Sequence, residues 1–287
     1  MPFGIALAGG GARGAAHIGV LLALEEERLF PRSIAGTSAG ALVAGLYATG
    51  STPEAMKAMV QEISDNADYF LDLDLLGILR SVPQLACRRT FTLSGLIKGK
   101  RMERYLTDRT GGKNIRDAQM RTVIPAVDLT SGNTISYTNT LENLRPVEGV
   151  VWKSGVPIAE AMRASAAYPG VFQPKWIDEM CLVDGGVTDV LPVDLLMAAG
   201  ENNVLAVDLG AEYEPPKTYN VLEINTHSLS IMQTRLKECR SQGEKLLLVP
   251  KLPKSAGLLT LGEMDECVTA GYNAARAQMP KIRALFR

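Results

Sequence analysis

The sequence predicts an α/β fold with a central, mostly parallel sheet, and three observations predict it. Strand-like and helix-like segments alternate from the N-terminus. Two glycine-framed turns each join a short apolar strand to a helix start, Gly9-Gly10-Gly11-Ala12-Arg13-Gly14 and Gly36-Thr37-Ser38-Ala39-Gly40. Further short apolar runs recur late in the chain, at Val204-Leu205-Ala206-Val207 and Leu246-Leu247-Leu248-Val249.

The elements follow in order. Phe3 to Ala8 is an apolar strand, and Ala15 to Leu29 reads as a helix with Ile18, Leu21, Leu22 and Leu29 on or near one face. Ser33-Ile34-Ala35 is the second strand. Ala39 to Thr49 is the next helix, stopped by Gly50. Thr52-Pro53-Glu54 reopens a helix with a cap residue, a proline at the first position and an acid in the first turn. Thr122 to Leu129 and Thr134 to Thr138 flank the turn Ser131-Gly132-Asn133 and read as a hairpin. Cys181-Leu182-Val183 is a later strand, and Glu263 to Leu285 a closing helix. With no internal repeat, low-complexity tract or persuasive linker, residues 1–287 are expected to form one domain.

Composition narrows the function classes. The chain has 46% hydrophobic and 21% charged residues, inside the globular range. A net charge of −1 argues against a nucleic-acid surface, which needs a basic excess. The four cysteines Cys87, Cys181, Cys239 and Cys267 show neither CxxC spacing nor clustering with histidine. No metal site or disulfide framework is therefore expected, nor a cofactor, and reduced thiols suit the cytoplasm. No apolar run approaches the ~18 residues that span a bilayer. Residue 3 already belongs to the first strand, so a signal peptide cleaved there would destroy the fold. A soluble, cytoplasmic protein is expected, with room for transient contact at the inner membrane face.

The two turns carry the chemistry. In G-x-S-x-G, glycines relieve crowding around a sharp bend that holds Ser38 out at a helix N-terminus, where backbone N–H groups favour developing negative charge. Its bland counterpart is a packing turn with a capping serine. Gly9, Gly11 and Gly14 also fit the G-x-G-x-x-G of a dinucleotide loop. The acidic residue that loop needs about 20 positions on would fall near Arg32, where none stands, and the lysine of a P-loop is missing too. An oxyanion hole is the better reading, with N–H groups around Gly10, Gly11 and Ala12 as donors.

Two candidates can serve as the base. His227, in Asn225-Thr226-His227-Ser228, is the one histidine late enough for a Ser-Asp-His order; His17 lies in the first helix among small residues and reads as packed. The other candidate is Asp184, at the end of an apolar strand and followed by Gly185-Gly186, which leave room for another group to approach. Alone, Asp184 would be an even match for a turn-forming aspartate.

With these motifs in order, the chain resembles the bacterial patatin-like phospholipases. Gly9 to Gly14 matches their oxyanion motif, Gly36 to Gly40 their nucleophile motif and Asp184-Gly185-Gly186 their Asp-Gly-Gly motif. A fourth block matches Arg163-Ala164-Ser165-Ala166-Ala167-Tyr168-Pro169-Gly170-Val171-Phe172-Gln173-Pro174. Order and spacing agree across roughly residues 3 to 210, leaving 211–287 to complete the sheet and supply the closing helix. The resemblance implies a three-layer α/β/α sandwich and a Ser-Asp dyad hydrolase of lipid acyl esters. Ser38 would be the nucleophile, Asp184 its base, Gly9, Gly10, Gly11, Ala12, Arg13 and Gly14 the oxyanion turn, and Gly36 and Gly40 the elbow glycines. One departure is visible: where the family often has asparagine shortly after Asp-Gly-Gly, this chain reads Val187-Thr188-Asp189-Val190-Leu191-Pro192.

The same dyad could transfer an acyl group to an alcohol or thiol instead of water, and a regulatory scaffold on a hydrolase fold is a third class. The intact Ser38 and Asp184 argue against the scaffold. A leucine-rich stretch from Tyr69 to Leu96, broken by Gly77 and Pro83 and carrying Arg80, Arg88 and Arg89, reads either as buried core or as a gate over an apolar site.

Overall fold

The computed structural model describes residues 1–77, 79, 93–210, 215–216, 218–239 and 243–287. Its strands are β1 (Gly4–Leu7), β2 (Ser33–Gly36), β3 (Gly95–Ile97), β4 (Arg121–Asp128), β5 (Thr134–Thr138) and β6 (Val150–Lys153). They continue with β7 (Gly170–Phe172), β8 (Lys175–Ile177), β9 (Met180–Asp184), β10 (Val204–Val207) and β11 (Leu246–Leu248). The main sheet runs β11-β10-β1-β2-β4-β5-β6, with β9 and β8 joined to β4. Pairing from β11 through to β4 is parallel, as is β5 with β6. The α/β architecture with a mostly parallel central sheet is the one expected. β1, β2 and β10 are buried along their whole length, which is why they read as continuous apolar runs.

The arrangement around β4 decides where the site forms. One edge of β4 pairs with β5 from Val123 to Val127, and the other is shared. β2 takes residues Arg121 to Val123 of that edge in parallel, and β9 takes Ala126 to Asp128 antiparallel. Pro125, which has no N–H for a ladder bond, falls at the changeover. β2 and β9 therefore run toward each other along one edge, and the residues just past Gly36 converge on Asp184, which stands opposite Ala126.

The first predicted helix opens more tightly than expected: Gly11–Ala15 is a 3₁₀ turn, followed by α1 (Ala16–Glu26). α2 (Ala39–Ala48) and α3 (Pro53–Asp65) start where predicted, and the Thr52 hydroxyl caps α3 by accepting the Ala55 N–H. The closing helix Met264–Phe286 crosses α1 at very close range. A Cβ on Gly19 would stand 1.9 Å from Val268 O, and one on Gly271 1.9 Å from Ala16 O.

β3 and β7 form a separate parallel pair. A small apolar cluster of Ile97, Tyr168, Val171 and Phe172 sits there, with Leu71, Leu222, Leu229 and Leu258 packed on it. Neither this ribbon nor β6 and β8 was signalled by the sequence pattern. Of the leucine-rich stretch, Ile78, Arg80 and residues 81–92 lie outside the described residues. The described Leu73, Leu75, Leu76 and Leu79 are exposed and do not complete the core.

Candidate active site

Ser38 is the first residue of the site by geometry as well as by motif. It precedes α2 with φ 55° and ψ −120°, a left-handed backbone that a serine adopts at a cost of about 1–3 kcal/mol unless its surroundings hold it there. Three bonds hold it. The Thr37 N–H donates to Leu7 O at 3.1 Å, the Thr37 hydroxyl to Asp189 O at 2.9 Å, and the Ser38 N–H to the Ser165 hydroxyl at 3.0 Å. The elbow glycines allow the bend to close: a Cβ on Gly36 would meet Gly40 O at 2.1 Å, and one on Gly40 would meet Leu7 O at 2.3 Å.

The loop that departs from the family pattern supports the elbow through its backbone. Asp189 O accepts the hydrogen bond from the Thr37 hydroxyl, and Val190 O accepts the Gly9 N–H at 2.9 Å. Carbonyls do this work whatever side chain follows Asp-Gly-Gly.

The glycine-rich turn lies beside the elbow, with Gly9 packed against Ser38; a Cβ on Gly9 would stand 3.2 Å from the Ser38 Cβ. Its donors are fewer than expected. The Ala12 N–H is already given to Leu258 O at 3.1 Å, so Ala12 does not offer the free N–H assigned to it from sequence. Gly9 is likewise engaged. Among the described residues, the Gly10 and Gly11 N–H groups donate to no other group. Gly11 has φ +61°, and the Arg13 guanidinium braces the turn by donating from Nε to Gly10 O at 3.3 Å. Below the turn, His17 is fully buried with Nε2 2.8 Å from Ala8 O, so Nε2 carries the proton. Burial drives its pKa down to about 4, leaving it neutral and apolar-packed as expected.

Asp184 closes β9 with its carboxyl 1% exposed. Oδ1 accepts the Gly186 N–H at 2.8 Å. Among the described residues Oδ2 accepts no hydrogen bond, and the Ser38 side chain is close enough to hold the carboxyl's pKa down. Burial pushes the pKa up to about 6, against the opposing effects of Ser38 and of the Gly186 N–H. The neighbouring Tyr168 phenol is pushed to about 12 by burial, then by the Asp184 charge, and stays protonated. The structure thus brings Ser38, Asp184 and the Gly9–Gly14 turn together. His227 lies half-buried on the helix Val221–Cys239.

Several site residues escaped the sequence reading. Leu258 reaches the glycine-rich turn through its carbonyl, which leaves no signature in a sequence. The helix Val221–Cys239 covers the site: Gln233 Nε2 would stand 2.8 Å from a Cβ on Gly186, Thr226 O accepts the Tyr168 hydroxyl at 3.2 Å, and Asn225 donates to Pro169 O at 2.9 Å. Lys237 of that helix pairs with Asp208 just past β10. Residues beyond 210 are therefore part of the site's walls. Ser165 lay inside the fourth block, where its motif position was visible and its hydrogen bond was not.

A family model described as patatin-like phospholipase matches residues 5–197. The chain belongs to the patatin-like phospholipase family. Among relatives, it is 28% identical to a patatin-like phospholipase domain-containing protein of Caenorhabditis elegans, over 97% of this chain and 26% of that one. It is 30% identical to an NTE family protein of Mycobacterium tuberculosis, over 74% of this chain and 51% of the relative. Lysophospholipase NTE1 of Mycosarcoma maydis is 29% identical over 76% of this chain and 10% of its own length. The chain thus spans about half or less of the length of these patatin-like relatives. Among solved structures, VipD from Legionella pneumophila superposes with a TM-score of 0.50 at 14% identity, covering 98% of this chain and 67% of VipD, a likeness of fold.

Proposed function

We propose that the protein is a serine hydrolase of lipid acyl esters working through Ser38 and Asp184. The observation that carries this reading is the Ser38 elbow beside the buried Asp184 carboxyl, whose Oδ2 accepts no hydrogen bond among the described residues and whose pKa burial raises to about 6. A carboxylate with that pKa is ionised at neutral pH and still basic enough to accept a proton. Asp184 Oδ2 takes the hydroxyl proton as Ser38 Oγ bonds to the ester carbonyl carbon and the carbonyl π pair moves to oxygen. The Gly10 and Gly11 N–H groups face that oxyanion. Collapse expels the alkoxide, which recovers the proton from Asp184, and leaves an acyl-serine. Water then attacks with Asp184 again as base, releasing the fatty acid and restoring Ser38.

The substrate class follows the family and the lysophospholipase and phospholipase names of relatives: phospholipid or lysophospholipid acyl esters. The outer surface supports an aggregated substrate. Leu75, Leu76 and Leu79 before β3, and Val221, Ile224, Ile231 and Met232 on the outward side of helix Val221–Cys239, are exposed apolar side chains on segments flanking the β3–β7 ribbon. We read this as the side that meets lipid. No helix among the described residues is long and apolar enough to cross a membrane.

The test is covalent labelling. A fluorophosphonate should modify Ser38 in the wild type, identified by mass spectrometry, and Ser38→Ala should lose both labelling and fatty-acid release while remaining folded. Fatty-acid release by Ser38→Ala at the wild-type rate would remove Ser38 as nucleophile. Products analysed with and without a glycerolipid acceptor separate hydrolysis from transfer.

A further inference from the structure

The segment Arg163–Tyr168 touches both members of the proposed pair, although neither motif contains it. Ser165 ends the helix Ile158–Ser165 and is fully buried, and its hydroxyl accepts the Ser38 N–H at 3.0 Å. Two residues on, Ala167 O accepts the Asp184 N–H, also at 3.0 Å. Two residues back, the buried Arg163 donates to Lys98 O at 2.9 Å, Gln173 O at 2.8 Å and Gly99 O at 3.3 Å. Arg163 thereby fixes this segment to the backbone beside β3 and β7. A rigid bracket results, with one contact on the nucleophile's backbone and one on the base's.

The Ser38 contact is the informative one. In acyl hydrolases with a strand–turn–helix elbow, backbone N–H groups near the nucleophile are available to stabilise charge. Here the Ser38 N–H is spent on a side chain. It sits at the residue whose φ of 55° is held against its own preference. Without the acceptor, that donor is buried and unpaired, and the elbow gains by rotating it toward another partner. Any such rotation swings the Ser38 side chain away from Asp184.

We propose that Ser165 is a positioning residue whose hydroxyl locks the Ser38 backbone so that the Ser38 side chain meets the Asp184 carboxyl. This rests on the Ser38–Asp184 reading above. It predicts a loss in kcat and not in KM, because the bond orients the attacking group and makes no contact that would hold an acyl chain.

The pH profile separates positioning from mere stability. The Ser38 side chain holds the Asp184 pKa down, so uncoupling the two raises it, and the acidic limb of kcat/KM moves upward from about 6. Ionisable groups on the elements packed around Asp184 include Tyr168, whose phenol feels the Asp184 charge, Arg13 next to Tyr168, Asp189 on the following loop and His227 on the helix Val221–Cys239. His227→Ala in parallel shows whether the limb belongs to His227 instead.

The experiment compares wild type, Ser165→Ala and Ser165→Thr, which keeps the hydroxyl, by steady-state hydrolysis of a short-chain ester from about pH 5 to 9 and by the rate of fluorophosphonate labelling per folded molecule. Ser165→Ala is expected to lower kcat and the labelling rate about 10- to 100-fold, with KM little changed and the acidic limb shifted up. Ser165→Thr is expected to recover most of both. If Ser165→Ala does not fold, Ser165→Cys, whose thiol accepts weakly, takes its place. Labelling of Ser165→Ala at the wild-type rate with an unmoved limb overturns the role of Ser165 alone. A wild type that does not label at Ser38 overturns the dyad and this role with it.

Discussion

At single-residue scale, the role proposed for Asp184 would set a catalytic requirement against stability. Its carboxyl titrates near 3.8 when exposed and about 6 in the fold, because burial disfavours the ionised form. Between those values the folded state keeps a proton that the unfolded state has released. Stability therefore falls as pH rises from about 4 to above 6, and at about pH 8 the ionised carboxylate costs up to about 3 kcal/mol. Asp184→Asn removes that cost and can retain the Gly186 N–H bond. It is expected to be inactive yet more stable than wild type by about 1–3 kcal/mol at about pH 8, with the difference shrinking below about pH 5. Urea unfolding at both pH values checks this. An Asp184→Asn protein less stable than wild type at the higher pH would mean the carboxylate is net stabilising where it sits. Glu201 makes the contrast: equally buried, it accepts a two-pronged bond from Arg32 and one from the Ser33 hydroxyl, and its pKa is lowered, not raised. Arg32 stands where a dinucleotide loop would want an acid, and its actual work is to neutralise one.

At the scale of elements, the glycine-rich turn depends on a neighbour from the far end of the chain. A Cβ at Gly11 would lie 2.4 Å from Leu258 O, at a φ of +61° that side chains disfavour. Gly11→Val should push the Leu258 segment off the turn and rotate the Gly10 and Gly11 N–H groups. Loss of one such donor typically lowers kcat about 10²–10³-fold. Steady-state kinetics on folded Gly11→Val would expose a binding role if kcat held and KM rose. The leucine-rich stretch, open between gate and core in the sequence, is also informative. Periodicity alone could not separate a gate from core for the leucines after Tyr69, because exposure depends on what packs above them. Leu71 is packed in the small cluster, while Leu75, Leu76 and Leu79 face outward.

Over the whole molecule, the C-terminal helix links the core to the site. Gly19 and Gly271 let Met264–Phe286 lie almost against α1, and the segment before that helix delivers Leu258 to the glycine-rich turn. Gly271→Val has no room without separating the helices, so a loss of stability of about 3 kcal/mol or more is expected, with kcat falling in the fraction that folds. Thermal unfolding reads the first and active-site titration the second; an unchanged melting temperature would show that the crossing can widen freely. The apolar outer face gives a different test. Val221→Ser combined with Met232→Ser touches no core residue and should lower turnover of phospholipid vesicles severalfold while leaving a soluble short-chain ester unaffected. Equal rates on vesicles would remove this helix from the lipid-facing side.

The sequence by itself determined the local chemistry. G-x-S-x-G dictates a bend that only small neighbours allow, Asp-Gly-Gly ends a buried strand in a carboxylate, and alternating short apolar runs dictate a parallel sheet with helices on it. These features are legible because each depends on residues adjacent in the chain. Which distant groups meet was settled only when the chain packed. Ser38 and Asp184 converge because β2 and β9 share one edge of β4 from opposite directions, a pairing with no local signal. The proposal of Asp184 over His227 as base rests on that meeting. Likewise the Ala12 N–H was spent on Leu258 O, and Ser38 was braced by Ser165, through a carbonyl and a hydroxyl whose partners lie far off in sequence. A backbone carbonyl is the same at every position, so which N–H it will accept is settled only when the chain has packed.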